Sequence, residues 1–500
     1  MDLLASIARA FREHPDRPAL MAADGSCTYR ELEAIVGGIA AELKSRRVGR
    51  RIGIVTGDDL ATYASILAVL AIGAAYVPLN RKNPPARNGL IVDQADLDLV
   101  LASGPSKALV DLQRATVTRP VEALYTSDIS AGTPLEWASP APDDNAYLFF
   151  TSGTTGVPKG VPIRHRNLNA FATAVLEDPS YGFVPEDRFL QMFELTFDLS
   201  VMSWLGPLAV GASCHVVPDV GIASLQIARL LEERALTVAL MVPSILSYLR
   251  RYLGELHFPA LRHSLFCGEA LSHSLTAAWS GCVPAAHIRN VYGPTEATIF
   301  CTEFKWDAES SAEQSSNDIV PIGRPLPGSD IRILDADGKA VPEGTQGELW
   351  LLGAQVASGY WANPSRTRIA FVEQGDAGVA YRTGDLAMRN SQGNYLFCGR
   401  VDAQIQVDGH RVELGEVEHH LRTFLEGAAA AAAPVRTADG RQEFVAFIEK
   451  AVDAEASVLE YLRTKLPDYM LPRRVISVAE MPLNLNGKID RHALLDRYLK

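Results

Sequence analysis

Residues 147–160 read YLFFTSGTTGVPKG, an apolar strand that runs directly into a loop rich in glycine and threonine. Glycines let backbone N–H groups approach an anion closely, the hydroxyl groups add donors, and Lys159 adds a positive charge. The stretch is therefore typical of a polyphosphate site at the end of a buried strand. It lacks the Walker pattern GxxxxGK[ST], because Gly160 follows the lysine, and this disfavours a P-loop kinase or GTPase. The alternative interpretation is a flexible turn without a ligand.

On both sides of this loop, helical and strand patterns alternate along the chain. The predicted helices include 32–43, 63–72, 224–234 and 244–253, and the predicted strands include 51–55, 75–78, 97–102, 146–150, 238–241 and 264–266. Such alternation favours an α/β fold in which helices cover parallel sheets. From about residue 328, short strands between glycine and proline turns predict a β-rich subdomain.

A third change in pattern comes near residue 400. Strands are predicted at 404–407 and 443–449, and helices at 413–422 and 457–465. The alanine run 428–433 is expected to be a buried strand or a helix end. We therefore expect a large N-terminal domain, residues 1–400, and a small, mobile α+β domain, residues 403–500.

Composition limits the classes of function. The chain has 500 residues, of which 47% are hydrophobic and 21% charged, which excludes a disordered or fibrous protein. A net charge of −12 disfavours general nucleic-acid binding, which depends on lysine and arginine contacts to phosphates. The six cysteines are scattered without a CxxC pair and are expected to be reduced, buried thiols.

The N-terminus predicts an amphipathic helix and not a signal peptide, because apolar residues recur there at helical spacing. These residues are Leu3, Leu4, Ile7 and Phe11. The longest apolar stretch, 64–79, is broken by Gly73 and Pro78 and is shorter than the roughly 20 residues of a membrane span. We expect a cytoplasmic protein without membrane insertion.

The loop at 151–160 resembles the phosphate loop of the adenylate-forming enzymes, which include acyl-CoA synthetases, luciferases and amino-acid adenylation domains. Other motifs match in order and spacing across the chain: TYREL at 28–32, GAAYVPL at 73–79, YGPTE at 292–296, YRTGD at 381–385, GRVD at 399–402 and NGKIDR at 486–491. The resemblance implies that the substrate is a carboxylate and that ATP and Mg²⁺ are the cofactors. It also implies that a thiol finally accepts the acyl group.

Matching positions imply an ATP site and three catalytic residues. The implied ATP-binding residues are Thr151, Ser152, Gly153, Thr154, Thr155, Gly156, Lys159, Gly268, Glu269, Asn290, Tyr292, Gly293, Thr295, Asp385, Phe397, Arg400 and Lys488. The implied catalytic residues are Thr155, Glu296 and Lys488, with Glu296 as the Mg²⁺ ligand. Taken alone, Glu296 could be a solvated turn carboxylate, Asp385 an Asx-turn residue and Lys488 a surface lysine.

The resemblance also implies a mechanism in two steps. An acyl-adenylate forms with Lys488 in the site, and the C-terminal domain then swings about a hinge at Asp402. The swing removes Lys488 and presents the stretch Val407–Arg411, around Gly409, to the thiol of a pantetheine arm.

The segment 193–202, FELTFDLSVM, indicates which acid is activated, because Asp198 interrupts an apolar run. A lone buried carboxylate is costly unless it is paired, and a ligand ammonium is a natural partner. The resemblance agrees, since amino-acid adenylation domains hold the α-amino group at this position; a helix N-cap is the alternative. The implied pocket contains Asp198, Leu199, Met202, Ser244, Leu265, Cys267, Val291, Ile299 and Phe300.

These mostly apolar walls favour a small uncharged amino acid, and they resemble those of D-alanine–carrier-protein ligases. Val291 and Phe300 depart from that pattern and leave the enantiomer and the amino acid open, with alanine first and then glycine or serine. At this length we expect a stand-alone enzyme that loads a separate phosphopantetheine carrier protein. The alternatives are an acyl-CoA synthetase of a small carboxylic acid and a catalytically silent nucleotide-binding homologue.

Overall fold

The computed structural model describes residues 1–46, 48–97, 99–105, 111–112, 121–153, 157–401, 404–426, 428–449, 455–482 and 489–499.

Two large sheets occupy the first two-thirds of the chain. Their strands are β1 (Pro18–Ala22), β2 (Gly25–Thr28), β3 (Arg51–Thr56), β4 (Ala75–Asn80), β5 (Leu99–Ala102), β6 (Glu122–Tyr125), β7 (Asn145–Thr151), β8 (Lys159–Arg164), β9 (Arg188–Gln191), β10 (Ser213–Val216), β11 (Val238–Met241), β12 (His263–Phe266), β13 (His287–Tyr292), β14 (Thr302–Lys305) and β15 (Arg324–Pro325). One sheet has the order β6-β5-β3-β4-β7-β8 and the other β15-β14-β13-β12-β11-β9-β10-β1-β2. Their central strands are parallel, and antiparallel pairing is confined to the ends.

Helices cover both sheets, as the alternating pattern predicts. They are α1 (Leu3–Glu13), α2 (Tyr29–Ser45), α3 (Leu60–Ala71), α4 (Pro85–Ala95), α5 (His165–Leu176), α6 (Leu199–Val210), α7 (Ala223–Glu233), α8 (Ser244–Leu249), α9 (His273–Cys282) and the single turn α10 (Ser311–Gln314). Helix α2 begins three residues before its predicted start. There Thr28 and Glu31 form a capping box that satisfies backbone donors at the helix end.

A third, antiparallel sheet follows, as predicted from the glycine and proline turns. It contains β16 (Ser329–Leu334), β17 (Gly347–Gly353), β18 (Phe371–Glu373), β19 (Val379–Arg389) and β20 (Tyr395–Arg400), with α11 (Pro364–Ala370) between β17 and β18.

The helix predicted over 244–253 ends as α8 at Leu249 and continues as a 3₁₀ turn, Arg250–Tyr252.

The C-terminal part has its own small sheets and its own core. Its elements are β21 (Gln404–Val407), β22 (His410–Glu413), α12 (Leu414–Phe424), β23 (Ala430–Arg436), β24 (Gln442–Ile448), α13 (Glu455–Arg463), β25 (Val475–Ser477) and α14 (Arg491–Tyr498). The last four alanines of the run, 430–433, begin β23 and are buried there. Buried apolar residues from 405 onward form two clusters separate from the main core, whose last member is Ala387.

The predicted fold class is thus confirmed: parallel sheets covered by helices, a β-rich sheet, and a smaller α+β part. The amphipathic prediction for α1 also holds, since its four apolar residues are at most 3% exposed. Within the described ranges, no helix is both long and apolar enough to cross a membrane.

Candidate active site

The site lies at one edge of the nine-stranded sheet. Strands β9, β11, β12 and β13 are parallel, so their carboxyl ends meet at the same edge. The strand order reverses between β9 and β11, because β10 lies on one side of β9 and β11 on the other. Open α/β sheets bind ligands in the crevice at such a switch point. The loops that follow these strands carry Asp198, Ser244, Gly268 and Glu296.

A cavity of about 1080 Å³ opens at this edge. From the predicted amino-acid pocket, it is lined by Asp198, Leu199, Ser244, Cys267 and Val291. From the predicted nucleotide site, it is lined by Gly268, Glu269, Asn290, Tyr292, Gly293, Thr295, Asp385, Phe397 and Arg400. One continuous cavity therefore joins the two predicted subsites, although their residues are up to about two hundred positions apart in the sequence.

Asp198 is the unusual group in this cavity. Its side chain is 5% exposed, and its Oδ2 atom accepts no hydrogen bond from the described residues. It occupies the N-cap position of α6, but its side chain makes no capping hydrogen bond there. Burial raises the pKa of Asp198 to about 7. Donors at Thr295, Leu199 and Ile299 oppose this rise in pKa, but a buried oxygen without a hydrogen bond is costly, and a cationic ligand group would remove the cost at Oδ2.

The opposite side of the cavity holds a second buried carboxylate. Asp385 on β19 faces Arg400 on β20 in the sheet register, and the two side chains form an ion pair. The Tyr292 hydroxyl donates to Asp385 Oδ2. Burial raises the pKa of the Asp385 carboxyl, while the Arg400 charge opposes that shift. This group can accept hydrogen bonds from a diol such as ribose.

Asn290 is held in a defined orientation nearby. Its amide nitrogen donates to the carbonyls of Val320 and Pro321, at 3.2 and 2.9 Å. The amide oxygen is thus the atom left to accept from a ligand amino group. Gly293 directly follows β13, and a Cβ there would lie 2.4 Å from Phe300 Cα, so no other residue fits.

Glu296 lies in a 3₁₀ turn after β13 and is fully buried. It accepts from the Tyr360 hydroxyl at 2.7 Å and from Arg411 Nη1 at 3.0 and 3.2 Å. Burial alone would raise the pKa of this carboxyl, but the Arg411 and Lys159 charges outweigh it and lower the pKa to about 2. Glu296 is therefore ionised, as a hard-metal ligand must be.

Acidic residues of the C-terminal part occupy the described ends of the phosphate loop. Lys159 Nζ donates to Glu413 Oε1 at 3.0 Å, and both side chains are buried. The backbone N–H of Gly153 donates to Glu416 Oε2 at 2.9 Å, and Glu416 also pairs with Arg87 at 2.6 Å. These carboxylates take donors that would otherwise serve a phosphate.

The turn between β21 and β22 narrows the cavity. The Gly409 N–H donates to Glu269 Oε1 at 2.8 Å, and Glu269 Oε2 accepts from the Ser244 N–H at the same distance. A Cβ on Gly268 would lie 3.6 Å from Gly409 Cα, and a Cβ on Gly409 would lie 2.3 Å from Val242 Cγ1. The turn at Gly409 is thus packed closely against Gly268 and Val242.

Several predicted residues lie elsewhere. Met202, Leu265, Ile299 and Phe300 are buried in the main core but are not part of the cavity lining, so the structure does not bring them to the predicted pocket surface. The C-terminal part contacts Ser152, Gly153, Lys159 and Glu296, and Thr151 is the last residue of β7. Thr154, Thr155, Gly156, Asp402 and Lys488 lie outside the described residues.

Sequence reasoning missed the buried ionic contacts between the two parts of the chain. Arg411, Glu413 and Glu416 all take part in them, and Tyr360 and Arg87 complete them. One signal was available in the sequence. The stretch 410–418 reads HRVELGEVE, in which charged residues alternate with apolar ones at the start of a helix.

Comparison with known proteins agrees with this geometry. A family model described as AMP-binding enzyme matches residues 7–361. The D-alanine–D-alanyl carrier protein ligase of Lactiplantibacillus plantarum is 32% identical over 484 residues, which cover 94% of this chain and 93% of that protein. Tyrocidine synthase 3 of Brevibacillus parabrevis is 32% identical over 489 residues, which cover 96% of this chain but only 7% of that much longer protein.

A solved structure extends the likeness to the whole fold. The Vibrio cholerae adenylation domain AlmE, in complex with glycyl-adenosine-5′-phosphate, has a TM-score of 0.88 at 27% identity, over 100% of this chain and 98% of that one. The family model covers most of the chain, and the ligase matches it nearly end to end. The chain therefore belongs to the AMP-binding enzyme family, as an adenylate-forming ligase.

Proposed function

We propose that this protein activates a small uncharged amino acid, alanine first, as an aminoacyl-adenylate and transfers it to the phosphopantetheine thiol of a separate carrier protein. In the first step the amino-acid carboxylate attacks the α-phosphorus of ATP, and pyrophosphate leaves. In the second, the thiol sulfur attacks the acyl carbon, the bond from that carbon to the AMP oxygen breaks, and AMP and one proton are released.

One observation carries the proposal. Asp198 presents a buried oxygen with no donor among the described residues, inside the cavity that also holds Asp385 and Asn290. A substrate with an ammonium group satisfies this oxygen, whereas a plain carboxylic acid leaves it unpaired. Leu199, Cys267 and Val291 beside it leave no second charge for a charged side chain. The carrier-protein ligase and the glycyl-adenylate complex among the relatives support the same substrate class.

The nucleotide side of the cavity fits ATP. Asp385 and Arg400 would take the ribose hydroxyls, Asn290 Oδ1 the adenine amino group, and Tyr292 the adenine face. Glu296 has the ionised oxygen that Mg²⁺ requires, and Mg²⁺ in such sites takes its other ligands from phosphates and water. When bound, Mg²⁺ would neutralise charge on the phosphate oxygens.

We infer that the described arrangement belongs to the second step. The Arg411 guanidinium forms an ion pair with Glu296, where the metal would be. Glu413 forms an ion pair with Lys159, where the phosphates would be. ATP with Mg²⁺ and this arrangement therefore exclude each other. The contacts between the two parts are largely polar, which is typical of surfaces that move relative to each other. A hinge at Asp402 would let Lys488 replace the turn at Gly409 for the first step.

An amino-acid-dependent ATP–pyrophosphate exchange assay tests the proposal. We expect exchange with at least one enantiomer of alanine, weaker exchange with glycine and serine, and little exchange with acetate or propionate. Equal exchange with propionate and alanine would favour an acyl-CoA synthetase. ATP binding without exchange for any acid would favour a silent homologue.

The exchange reaction should depend on pH in a defined direction. Below about pH 7, Asp198 is protonated in the free enzyme and cannot pair with an ammonium group. The KM for the amino acid should therefore fall as pH rises from 6 to 8, with a value about tenfold above the plateau at pH 6. The KM for ATP should change less over this range. A KM for alanine that is flat from pH 6 to 8 would contradict this role.

Gly409→Ala should impair the second step only. The residue has a φ of 81°, and the new Cβ would overlap the buried Val242 side chain. Thiol transfer should fall about tenfold or more, because the left-handed conformation and the overlap both destabilise this arrangement. Exchange, which uses the other arrangement, should stay within about twofold of the wild type.

A second substitution gives the control for steric overlap. Adding Val242→Ala to Gly409→Ala removes the contacted Cγ1 atom and should restore part of the transfer rate. Loss of exchange and transfer to the same extent would mean that Gly409 has a general structural role.

A further inference from the structure

A buried arginine beside the phosphate loop is paired with a carboxylate of the C-terminal part. Arg87 Nη1 donates to Glu416 Oε1 at 2.6 Å, and the two side chains are 6% and 0% exposed. Among the residues that the structure describes, no other side chain forms a hydrogen bond or an ion pair with Arg87. A buried guanidinium depends on such a partner, because an unpaired buried charge is very unfavourable.

The topology of the smaller parallel sheet places Arg87 at the phosphate loop. Strands β4 and β7 are parallel neighbours, so the segments that follow them leave the sheet at the same edge. Arg87 lies in the first turn of α4, shortly after β4, and the loop at 151–160 follows β7. Residues that are far apart in the sequence therefore meet at this edge.

The Glu416 carboxylate bridges Arg87 and the phosphate loop. Its second oxygen, Oε2, accepts from the backbone N–H of Gly153 at 2.9 Å. Glu413, at the start of the same helix α12, takes the Lys159 ammonium group in a similar way, at 3.0 Å. Two carboxylates thus occupy a set of three donors, as the two phosphate groups of a diphosphate would.

The first step of the proposed function leaves Arg87 without this partner. ATP with Mg²⁺ excludes the described arrangement, so Glu416 must leave the loop before ATP binds. Burial alone would lower the pKa of Arg87, but Glu416 and Tyr469 outweigh it and raise the pKa. Both groups belong to the C-terminal part, so Arg87 loses both together. Another anion is then needed beside its guanidinium.

The position of Arg87 favours the far end of ATP over the α-phosphate. The substrate carboxylate must meet the α-phosphorus in the cavity that holds Asp198. Arg87, Gly153 and Lys159 do not line that cavity. The donors that Glu413 and Glu416 occupy are therefore better placed for the β- and γ-phosphates.

We propose that Arg87 binds the β,γ-diphosphate end of ATP, and then the departing pyrophosphate, at the position that Glu416 takes in the described arrangement. This inference rests on the proposed function and adds a phosphate ligand outside the loop at 151–160. In the first step the bond between the α-phosphorus and its bridging oxygen to the β-phosphorus breaks, and the electron pair passes to the pyrophosphate. Arg87 stabilises this charge, since a guanidinium forms charge-assisted hydrogen bonds with phosphate oxygens. Glu416 can return only after the pyrophosphate has left.

Binding measurements by calorimetry in the absence of amino acid test the proposal, with magnesium pyrophosphate, ATP with Mg²⁺, and AMP as ligands. The variants are Arg87→Gln and Glu416→Gln. Arg81→Gln is the matched control and should bind all three ligands as the wild type does, because Arg81 is an exposed arginine before α4 that pairs with Asp58 and Asp219.

Arg87→Gln should raise the Kd for ATP and for pyrophosphate by about 10- to 10²-fold, the usual effect of losing a hydrogen bond between charged groups. The Kd for AMP should stay within about twofold of the wild type, because AMP lacks the two phosphates concerned. Unchanged affinity for ATP and pyrophosphate in Arg87→Gln would overturn the proposal, as would an equal loss of affinity for AMP.

Glu416→Gln separates phosphate binding from a structural role of the ion pair. This variant removes the competing carboxylate and keeps Arg87, so the Kd for ATP and for pyrophosphate should equal that of the wild type or be lower. If the ion pair were only structural, Glu416→Gln and Arg87→Gln would lose affinity to the same extent. That result would overturn the proposal.

Arg87→Lys keeps the positive charge and covers the case in which Arg87→Gln does not fold. It should bind pyrophosphate more weakly than the wild type, since lysine lacks the paired donors of a guanidinium, but more tightly than a folded Arg87→Gln. Weaker pyrophosphate binding in Arg87→Lys than in Glu416→Gln supports the proposal, and equal binding overturns it.

Amino-acid-dependent exchange is measured separately on the wild type. Absence of exchange with every amino acid would contradict the proposed function itself. The binding measurements need no amino acid, so they decide the role of Arg87 independently of that result.

Discussion

Asp198→Asn is expected to raise the KM for the amino acid by about 10²- to 10³-fold, because removing one member of a buried charge pair typically costs 2–5 kcal/mol. The substitution keeps the size of the side chain but cannot neutralise an ammonium group. The KM for ATP should stay within about twofold, since Asn290, Tyr292 and Asp385 are unchanged. Exchange kinetics with varied alanine and varied ATP give both values.

A change in substrate preference separates this role from a structural one. The wild type should reject propionate, which lacks the ammonium group and would leave the Asp198 carboxylate buried and unpaired. In Asp198→Asn the ratio of alanine to propionate use should fall by at least about tenfold. Glu194→Gln is the matched control, because Glu194 pairs with Asn80 and Lys82 near the surface. A comparable loss of ATP affinity in Asp198→Asn would mean that the carboxylate is structural.

Lys488→Ala is expected to reduce exchange by about 10³-fold or more while the protein stays folded. We propose this role for the lysine because NGKIDR resembles the corresponding motif of adenylate-forming enzymes, in which the lysine holds the carboxylate and ATP oxygens as charge develops on them. Removing such a positioned donor typically costs about 10²- to 10³-fold, and Lys488 also carries a full charge. The measurement is the exchange rate at saturating ATP and alanine, together with a thermal unfolding midpoint.

The second step provides the contrast for Lys488→Ala. Thioester formation from chemically prepared alanyl-adenylate should be nearly normal in this variant, since the described arrangement presents Gly409 and Arg411 to the site. Lys465→Ala, in the same part of the chain, has its ammonium group over the Tyr461 ring and should affect neither step. Near-normal exchange in Lys488→Ala would contradict the assigned role, and loss of both steps would indicate a folding defect.

The layered architecture and the chemistry of the loop at 147–160 can be predicted from the amino-acid sequence. Those features are local: alternating patterns follow from the repeat of each element, and Gly, Thr and Lys carry their properties wherever the chain places them. The sequence also singles out Asp198, since a carboxylate inside an apolar run needs a partner in any compact fold.

Which of these residues share a cavity depends on how the chain folds. Asp198 and Asp385 line the same cavity because the sheet order reverses between β9 and β11 and because β19 and β20 close the opposite side. Met202 and Phe300 are apolar like Leu199, yet they pack into the core instead of lining the pocket. No pattern in the chain distinguishes these cases, because a side chain's direction depends on neighbours that are remote in sequence.

The contacts between the two parts of the chain were also beyond sequence reasoning. Two ion pairs, Glu413 with Lys159 and Arg411 with Glu296, join residues that are more than one hundred positions apart. A charged residue in a sequence usually indicates exposure to water, because burial of a charge is unfavourable unless an opposite charge meets it. Here folding brings those opposite charges together, so the same residues lie buried at the phosphate site.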